Sequence, residues 1–406
     1  MGDERRFLSL ADGCVASPAG FSAGAVYAGI KTPGSDKLDL AILASDRLAA
    51  AAGVFTRNSF AAAPVLLCRQ RIESGRARAV IVNAGNANAC TGERGLADAR
   101  EMADLAARKL GIPADEVLVA STGVIGVAMP MDLVRSGVSA IELSPDGGHQ
   151  MARAIITTDT RPKEAGVELE LGGKVARIGG IAKGAGMIHP NMATMLAFVT
   201  TDASVDGDIL GSALHEAAAD SFNMISIDGD TSTNDTLILL ANGASGNATV
   251  RGGEDAAKFM AALAHVCAEL ARAIVSDGEG ATRLIRVDVV GARSDQDARA
   301  AARAVVRSNL VKAAVYGGDP NWGRVLCAIG YSGAQVDPAV VDLAVGDVPL
   351  VRAGSPVESG REAAGDLMKQ SEVRFVANLN LGQAQATAWG CDLTEAYVVE
   401  NSAYTT

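Results

Sequence analysis

Short apolar runs separated by small and polar residues organise this sequence. The runs at 38–43, 79–82, 117–120, 195–199 and 284–290 are bounded by turn-forming residues. Runs of this length and composition predict buried or half-buried strands. Because they are interspersed with helical patterns in no strict βαβ order, the sequence predicts an α/β fold of the α+β or layered type.

Helical spacing is the second pattern along the chain. Apolar residues recur every three or four positions in 96–110, 210–218 and 259–274, and 297–312 is also predicted to be helical. The first of these helices should end at Gly111, which is followed by Pro113. Additional strands are predicted at 64–67, 341–350 and 373–381, and a hairpin is predicted at 166–180.

A glycine-rich segment, 183–186, leads towards the predicted strand at 195–199 in the middle of the chain. Thr194 precedes that strand directly and follows the small residue Ala193. A threonine at such a place suits a self-cleaving enzyme: its hydroxyl attacks the preceding carbonyl, water releases the resulting ester, and the freed α-amine becomes the base. On the local pattern alone, a threonine that simply begins a strand is the favoured interpretation, because threonine is common in strands.

Composition narrows the class of protein. A chain of 406 residues with 49% hydrophobic residues has room for two or three domain-sized units and a large core. Its formal net charge is −11, and no basic block interrupts that acidic balance. These properties argue against nucleic acid or an anionic membrane as a partner and favour a small soluble substrate.

The N-terminal residues, the cysteines and the histidines bear on localisation and metal binding. Residues 1–6 lack the apolar core of a signal peptide and no apolar run reaches 18 residues, so we expect a cytoplasmic protein. The cysteines show no CxxC pair and are expected to be reduced and mostly buried. The four histidines have no metal-ligand spacing, so no metal is expected.

Several polar segments are candidates for a site, each with a simpler alternative. Thr122 and Gly123 follow a predicted strand, where backbone N–H groups and a hydroxyl could form an oxyanion hole, although an ordinary turn is more common. Asn-rich 83–92 is interpreted as a loop, with a polar pocket wall as the alternative. The acidic segment 228–236 lacks the EF-hand order and is interpreted as a self-bonded polar loop. Glu279 lies between glycines and either points into a cleft or is solvated.

The central segment Lys-Gly-Ala-Gly-Met-Ile-His-Pro-Asn-Met-Ala-Thr-Met-Leu (183–196) resembles the self-processing segment of the ornithine acetyltransferase family, also called the glutamate N-acetyltransferase or ArgJ family. In that family, cleavage falls at the Ala-Thr bond. The resemblance covers nearly the whole chain and includes Ser-Thr-Gly-Val-Ile-Gly (121–126), Thr-Thr-Asp-Thr (157–160), Asp-Gly-Asp-Thr-Ser-Thr-Asn-Asp-Thr (228–236), Asp-Gly-Glu-Gly-Ala-Thr (277–282) and Asp-Pro-Asn-Trp-Gly-Arg (319–324). Tyr316 and Gly318 depart from the family's forms.

The resemblance implies a ping-pong acetyl transfer from N2-acetyl-L-ornithine to L-glutamate in arginine biosynthesis. Thr194 would be the nucleophile, cleavage would fall between Ala193 and Thr194, and Thr122 and Gly123 would supply the oxyanion hole. Glu279 would bind the substrate's amino group. The substrate-binding residues implied by the resemblance are Thr157, Thr158, Lys183, Thr194, Glu279, Asn401 and Thr406.

The family also implies an architecture and a set of partners. The expected fold is an αββα-type sandwich made of two chains after cleavage, 1–193 and 194–406, assembled as an α2β2 heterotetramer. No cofactor is implied, and acetyl-CoA is possible as a second acetyl donor. The expected partners are small-molecule substrates and further copies of the two chains.

Two other functions are compatible with parts of the sequence. A self-processing aminopeptidase or amidase would keep the cleavage chemistry and pass the acyl group to water. The charged Glu279 and the polar C-terminal segment suit a doubly charged amino acid and favour the transferase. A nucleotide-binding module is suggested only by glycines at 179–180 and 184–186, since no GxGxxG or GxxxxGK[ST] motif is present.

Overall fold

The computed structural model describes residues 7–32, 34, 36–189 and 195–403. The strands in these ranges are β1 (Phe7–Ser9), β2 (Phe21–Val26), β3 (Leu40–Phe55), β4 (Arg76–Asn86), β5 (Val117–Val124), β6 (Lys163–Leu171), β7 (Lys174–Lys183), β8 (Leu196–Thr201), β9 (Ile225–Ser226), β10 (Thr236–Ala241), β11 (Leu284–Ala292), β12 (Asp342–Val345), β13 (Val348–Arg352), β14 (Ser355–Pro356), β15 (Glu372–Asn378) and β16 (Ala384–Cys391).

The helices connect these strands and cover the sheets. They are α1 (Ala63–Ile72), α2 (Gly92–Leu110), α3 (Met131–Ala140), α4 (Gly148–Ile155), α5 (Gly207–Ala219), α6 (Gly253–Val275), α7 (Asp295–Arg307), α8 (Asn309–Tyr316), α9 (Trp322–Gly330), α10 (Gly360–Ala363) and α11 (Glu395–Ala403). Within the described ranges, no helix is both long enough and apolar enough to cross a lipid bilayer.

The first sheet has the strand order β1-β6-β7-β8-β10-β3-β4-β5, with β2 paired to β3. Alternate residues of its central strands enter different apolar clusters. Ile181 and Phe198 join the cluster that contains residues of α1 to α4, whereas Ala182 and Val199 join the cluster that contains residues of α5 and α6. Since successive side chains of a strand point to opposite faces, helices cover both faces of this sheet.

The second sheet has the order β14-β13-β12-β15-β11-β16-β9. Its apolar face, which includes Val287 and Val289, packs with residues of α7, α8 and α9 in a third cluster. Its other face is polar, and there Asp288 accepts hydrogen bonds from Arg286 and Thr387. The predicted mixed α/β fold of layered sheets and helices is confirmed by these two sheets and their helices.

Most predicted elements are present, but the strand predicted at 64–67 is wrong. These residues lie in α1, whose first turn contains Pro64. Proline is tolerated there because the first N–H groups of a helix have no partner within the helix. Val65 and Cys68, three positions apart, are both buried, so the run continues with helical spacing.

Two long predicted elements are each divided in the structure. The helix predicted at 297–312 is broken at Ser308, whose extended backbone ends α7 and whose hydroxyl accepts a hydrogen bond from the Val311 N–H at the start of α8. The strand predicted at 341–350 is the hairpin of β12 and β13. Its turn contains Gly346 at a φ of 55°, a conformation that glycine adopts without strain.

Candidate active site

A cleft of about 150 Å³ brings together residues from distant parts of the chain. It contains all the predicted site residues that the structure describes. Ala193, Thr194 and Thr406 lie outside the described residues. The lining is Thr122, Gly123, Ile125, Thr157, Thr158, Lys183, Gly186, Met187, Ile188, Met195, Leu196, Ser232, Thr233, Asn234, Asp235, Glu279 and Asn401.

Thr122 and Gly123 lie near the carboxyl end of β5, which runs parallel to β4. Gly123 has a φ of 133°, and a Cβ atom placed on it would lie 2.2 Å from the carbonyl carbon of Gly85. This position therefore requires glycine. The close approach of the two backbones holds the end of β5, with its hydroxyl and N–H groups, at the wall of the cleft.

Lys183 ends β7 and directs its ammonium group to Thr122. Its Nζ donates a hydrogen bond of 3.3 Å to the Thr122 Oγ1. Burial is the main cause that lowers the pKa of Lys183, and the negative charge of Asp159 acts in the opposite direction. A desolvated cation beside a hydroxyl suits a site where negative charge develops on a substrate oxygen.

Asp159 holds two predicted substrate-binding segments in place. Its carboxylate accepts hydrogen bonds from the N–H groups of Thr157 at 3.0 Å and Gly184 at 2.6 Å. Burial acts to raise the pKa of Asp159, but Lys183, Lys163 and the hydrogen bonds outweigh it and lower that pKa to about 2. Asp159 therefore stays ionised and compensates the charge of Lys183.

Lys163 extends this network to the opposite wall. It is fully buried between Asp159 and Asp277, with its Nζ 2.6 Å from the Asp277 carboxylate. Asp277 also accepts a hydrogen bond from the Thr160 N–H and lies two residues before Glu279. The buried charges thus connect the chain segments that carry Thr157, Lys183 and Glu279.

Glu279 lies against the glycine-rich segment. Its N–H donates to the Ala185 carbonyl at 2.9 Å, and its carboxylate accepts a hydrogen bond of 2.8 Å from the Asn401 Nδ2. A Cβ atom on Gly186 would lie 2.4 Å from the Glu279 carboxylate oxygen. A carboxylate and a buried ammonium group consequently share one cleft, as a ligand with both charges would require.

Comparison with known proteins identifies the family of this chain. The profile described as the ArgJ family matches residues 22–406. The chain belongs to the ArgJ family.

Relatives match over nearly their entire length. The arginine biosynthesis bifunctional protein ArgJ of Symbiobacterium thermophilum is 57% identical over 397 residues, which cover 97% of this chain and 99% of the relative. The protein of the same name from Dehalococcoides mccartyi is 51% identical over 398 residues, covering 98% of each chain. The crystal structure of the Bacillus halodurans protein has a TM-score of 0.50 and 44% identity, and it covers 51% of this chain and 98% of its own.

The polar loop at 228–236 forms part of the cleft wall of this ArgJ chain. Ser232 to Asp235 line the cleft, although no site role was predicted for them from the sequence. The Asn234 amide donates to the carbonyl groups of Ala87 at 2.6 Å and Ser121 at 2.8 Å. These two bonds fix the loop against β5. Both carbonyl acceptors belong to backbone in the first sheet or directly next to it, so their positions are fixed by the sheet. The segment was predicted to be a self-bonded polar loop, and its place in the wall of the cleft is an additional finding.

The carboxylates in that loop bind backbone groups. Asp228 accepts hydrogen bonds from the N–H groups of Met187 and Ile188, the latter at 2.9 Å. Burial raises the pKa of Asp228, and its hydrogen bonds act to lower it. Met187 is held at a φ of 54°, which is unusual for a residue with a side chain. Asp228 therefore fixes the turn in front of the residues that lead to Ala193.

The Asn-rich segment 83–92 has a structural role. β4 continues through Asn86, so the predicted loop begins later than expected. The Asn83 amide donates to the Asn86 carbonyl, and the Asn88 amide donates to the Gly95 carbonyl. Residues 83–92 are absent from the described lining of the cleft. Their amides instead stabilise the connection between β4 and α2.

Lys163 is the charged residue that sequence reasoning missed. A single lysine at the start of a strand is usually solvated, and nothing in its local pattern marks it as buried. The available signal was its spacing of four residues from Asp159, which belongs to the Thr-Thr-Asp-Thr segment. This spacing alone does not reveal a buried ion pair. The two charges meet in the interior because both side chains are buried in the folded protein.

Proposed function

We propose that this ArgJ protein is an ornithine acetyltransferase that moves the acetyl group of N2-acetyl-L-ornithine to L-glutamate in arginine biosynthesis. The main observation in support is that one cleft contains the Thr122–Gly123 segment, the buried Lys183 ammonium and the Glu279 carboxylate. Thr122 and Gly123 can donate hydrogen bonds to the acetyl oxygen. The Lys183 ammonium can bind a substrate carboxylate, and the Glu279 carboxylate can bind a substrate amine. Thr157, Thr158 and Asn401 complete the walls around such a substrate.

The proposed nucleophile is Thr194. Its hydroxyl oxygen attacks the acetyl carbonyl carbon while its own α-amine accepts the hydroxyl proton. Thr122 and Gly123 stabilise the oxyanion, the C–N bond breaks, and ornithine leaves after its nitrogen receives that proton. The amino group of glutamate then attacks the carbonyl carbon of the acetyl-threonine ester and loses a proton to the same α-amine. The ester C–O bond breaks, the Thr194 oxygen receives that proton, and N-acetylglutamate leaves the restored threonine. Met195, the next residue along the chain, lines the cleft.

The α-amine of Thr194 exists only after cleavage from Ala193, so the proposal requires two chains, 1–193 and 194–406. The length of the Bacillus halodurans chain supports this division. That solved chain is covered almost completely by about half of the present sequence, whereas the ArgJ relatives match at full length. We further propose that the two chains assemble as an α2β2 heterotetramer in the cytoplasm.

A second activity is part of the proposal. The relatives carry the word bifunctional in their names, and acetyl-CoA is a chemically suitable second donor because its thioester also presents an acetyl carbonyl to a nucleophile. Transfer from acetyl-CoA to glutamate would pass through the same acetyl-threonine. No cofactor enters this chemistry.

Substrate dependence tests the proposal. Purified protein is incubated with N2-acetylornithine, with and without glutamate, and both ornithine and N-acetylglutamate are measured. A transferase releases ornithine continuously only when glutamate is present, with one N-acetylglutamate formed per ornithine. Ornithine release at the same rate without glutamate would instead show the aminopeptidase or amidase alternative, in which water accepts the acetyl group.

A further inference from the structure

Cys14, His149 and Glu164 form a cluster outside the cleft lining. One donor atom from each residue lies within 4.8 Å of the other two. The residues come from the segment between β1 and β2, from the first turn of α4 and from β6. We propose that these three side chains form a zinc-binding site, which is independent of the proposed acetyl transfer.

The donor set suits zinc. A thiolate sulfur, an imidazole nitrogen and a carboxylate oxygen are the three ligand types that Zn²⁺ binds, and three protein ligands leave a fourth tetrahedral position for water. On binding, the Cys14 thiol loses its proton to solvent, and the thiolate and the Glu164 carboxylate together balance the two charges of the ion. Nothing is oxidised or reduced.

The distances require only small adjustments. The His149 Nδ1 lies 2.9 Å from the Glu164 Oε1, whereas two zinc ligands at about 2.0 Å from the metal are separated by roughly 3.3 Å in a tetrahedral site. The ion therefore replaces this hydrogen bond with a slightly wider pair of contacts. The remaining separations, at most 4.8 Å, close by about 1 Å when the thiolate approaches the metal.

The thiol is held in place before any ion arrives. The Ser17 hydroxyl accepts a hydrogen bond from the Cys14 N–H at 2.9 Å and contacts the Cys14 sulfur at 3.6 Å. A Cβ atom on Gly148 would lie 2.4 Å from that sulfur, so glycine at this position leaves the space that the thiol occupies beside His149. Such outer contacts orient metal ligands.

An ion can reach the cluster from solvent. The side chains of His149 and Glu164 are 42% and 24% exposed, whereas Cys14 is buried. The metal would thus be bound at the protein surface with its sulfur ligand on the inner side. It would join α4 to β6, the two elements that flank the segment containing Thr157 and Asp159.

This inference departs from the expectation of no metal, which rested on spacing along the chain. Residues 14, 149 and 164 are too far apart to form a recognisable motif, and only folding brings them together. A bound ion would stabilise the folded state, because the unfolded chain does not preserve this arrangement.

Zinc titration tests the site. Metal-free protein is titrated with Zn²⁺ in competition with a chromogenic chelator, and Co²⁺ is used separately to detect a thiolate-to-metal charge-transfer band. We expect one high-affinity ion per 406 residues, no charge-transfer band in Cys14→Ser, and affinity at least about tenfold weaker in Cys14→Ser and Glu164→Gln. The thermal unfolding midpoint should rise with Zn²⁺ in the wild type and not in Cys14→Ser.

The control removes the two exposed thiols at Cys90 and Cys327. The Cys90→Ser/Cys327→Ser variant should bind zinc as the wild type does. Absence of binding by the wild type, unchanged affinity in Cys14→Ser, or loss of binding in the control variant would each overturn the proposal. Far-UV circular dichroism and acetyl transfer report whether each variant is folded. If Cys14→Ser does not fold, the partly exposed Glu164→Gln decides the question.

Discussion

At the residue scale, Lys163 and Lys183 bring two positive charges into the protein interior, where Asp159 lies between them and Asp277 completes the balance. Removing one member of such a network leaves an opposite charge buried without compensation. The arrangement therefore stabilises the walls of the cleft only when all four charges are present.

Replacing Lys163 with methionine should destabilise the protein strongly. The substitution keeps an unbranched apolar chain, removes the ammonium group and leaves Asp159 and Asp277 with excess negative charge, so we expect a loss of about 3–5 kcal/mol in the free energy of unfolding. Urea unfolding in a Thr194→Ala background, which keeps the chain in one piece, measures this loss. The exposed Lys174→Met serves as the control, and equal stabilities of the two variants would contradict the assignment.

Gly186→Ala should weaken substrate binding more than it changes stability. The added Cβ atom would lie 2.4 Å from the Glu279 carboxylate, so the carboxylate must move from the place proposed for the substrate amine. We expect KM for N2-acetylornithine to rise by about tenfold or more, since a displaced charge partner contributes more than about 1.4 kcal/mol.

The matched control is Gly211→Ala in α5, where an added Cβ atom meets nothing within 4 Å apart from its chain neighbours and the backbone of its own helix. Its KM should equal that of the wild type. An unchanged KM in Gly186→Ala would show that Glu279 does not bind the substrate amine.

Individual site residues could be predicted from the resemblance to the ArgJ family. The local pattern of residues alone was a weaker guide to them. Thr122, Lys183 and Glu279 belong to recognisable segments and do lie in one cleft. Lys163 has no such segment of its own, because burial of a charge depends on partners that come from elsewhere in the fold. Pattern alone favoured a turn at Thr122 and left a solvated loop open as an alternative at Glu279.

At the element scale, the segment in front of the proposed cleavage site is anchored to the loop between β9 and β10. The Ile188 carbonyl accepts a hydrogen bond of 2.7 Å from the Ile227 N–H, and the Thr231 hydroxyl donates to the His189 carbonyl. The His189 ring lies between the Ser226 hydroxyl and the Arg303 guanidinium group. The chain up to His189 would therefore remain attached to the second half of the protein after cleavage.

His189 should make stability depend on pH. Burial, followed by the charges of Arg303 and Arg307, lowers the pKa of His189 to about 3. The ordinary pKa of histidine is about 6.5, so at pH values between about 6.5 and about 3 His189 is protonated in the unfolded chain and neutral in the folded protein. The free energy of unfolding therefore decreases as the pH falls through this range. From pH 7 to pH 5 we expect His189 to account for a loss of about 2 kcal/mol.

Urea unfolding of Thr194→Ala and of Thr194→Ala/His189→Gln at both pH values measures this contribution. The variant with glutamine should lose less stability than its parent between pH 7 and pH 5. Identical losses would show that His189 titrates normally in the folded protein. Asp159, with a pKa of about 2, does not contribute in this range, because its stabilisation is lost only below about pH 4.

Elements were predicted best where periodicity was long. The pattern of α6 extends over six turns and fixes both its type and the face that it buries. The run at 64–67 is too short to distinguish a strand from a helix by spacing, and its true type is decided by packing of α1 against β5. The break at Ser308 could not be located from apolar spacing, because both α7 and α8 keep a buried face.

At the scale of the whole molecule, the two proposed chains share one sheet. β8, from the second chain, pairs with β7 from the first, and β10 pairs with β3. The order of strands in the first sheet could not be read from the sequence, because paired residues of β3 and β10 are 181 to 191 positions apart along the chain. The division into 1–193 and 194–406 consequently passes through the core.

Cleaved protein should therefore remain a single particle. Separation would break backbone hydrogen bonds and expose the buried faces of β7 and β8, which is unfavourable in water. We expect fragments of both lengths to co-elute in size-exclusion chromatography and to separate only in denaturant. Elution of either fragment alone under native conditions would contradict the shared sheet.

Intact-mass spectrometry of active protein tests the central claim most directly. After brief exposure to N2-acetylornithine without glutamate, we predict two chains that begin at residues 1 and 194, with one acetyl group on the second chain and located at Thr194. Glutamate should remove this group, and Thr194→Ala should give one uncleaved, unacetylated chain. An active wild-type protein with an unbroken bond between Ala193 and Thr194 and no acetyl adduct would contradict the account.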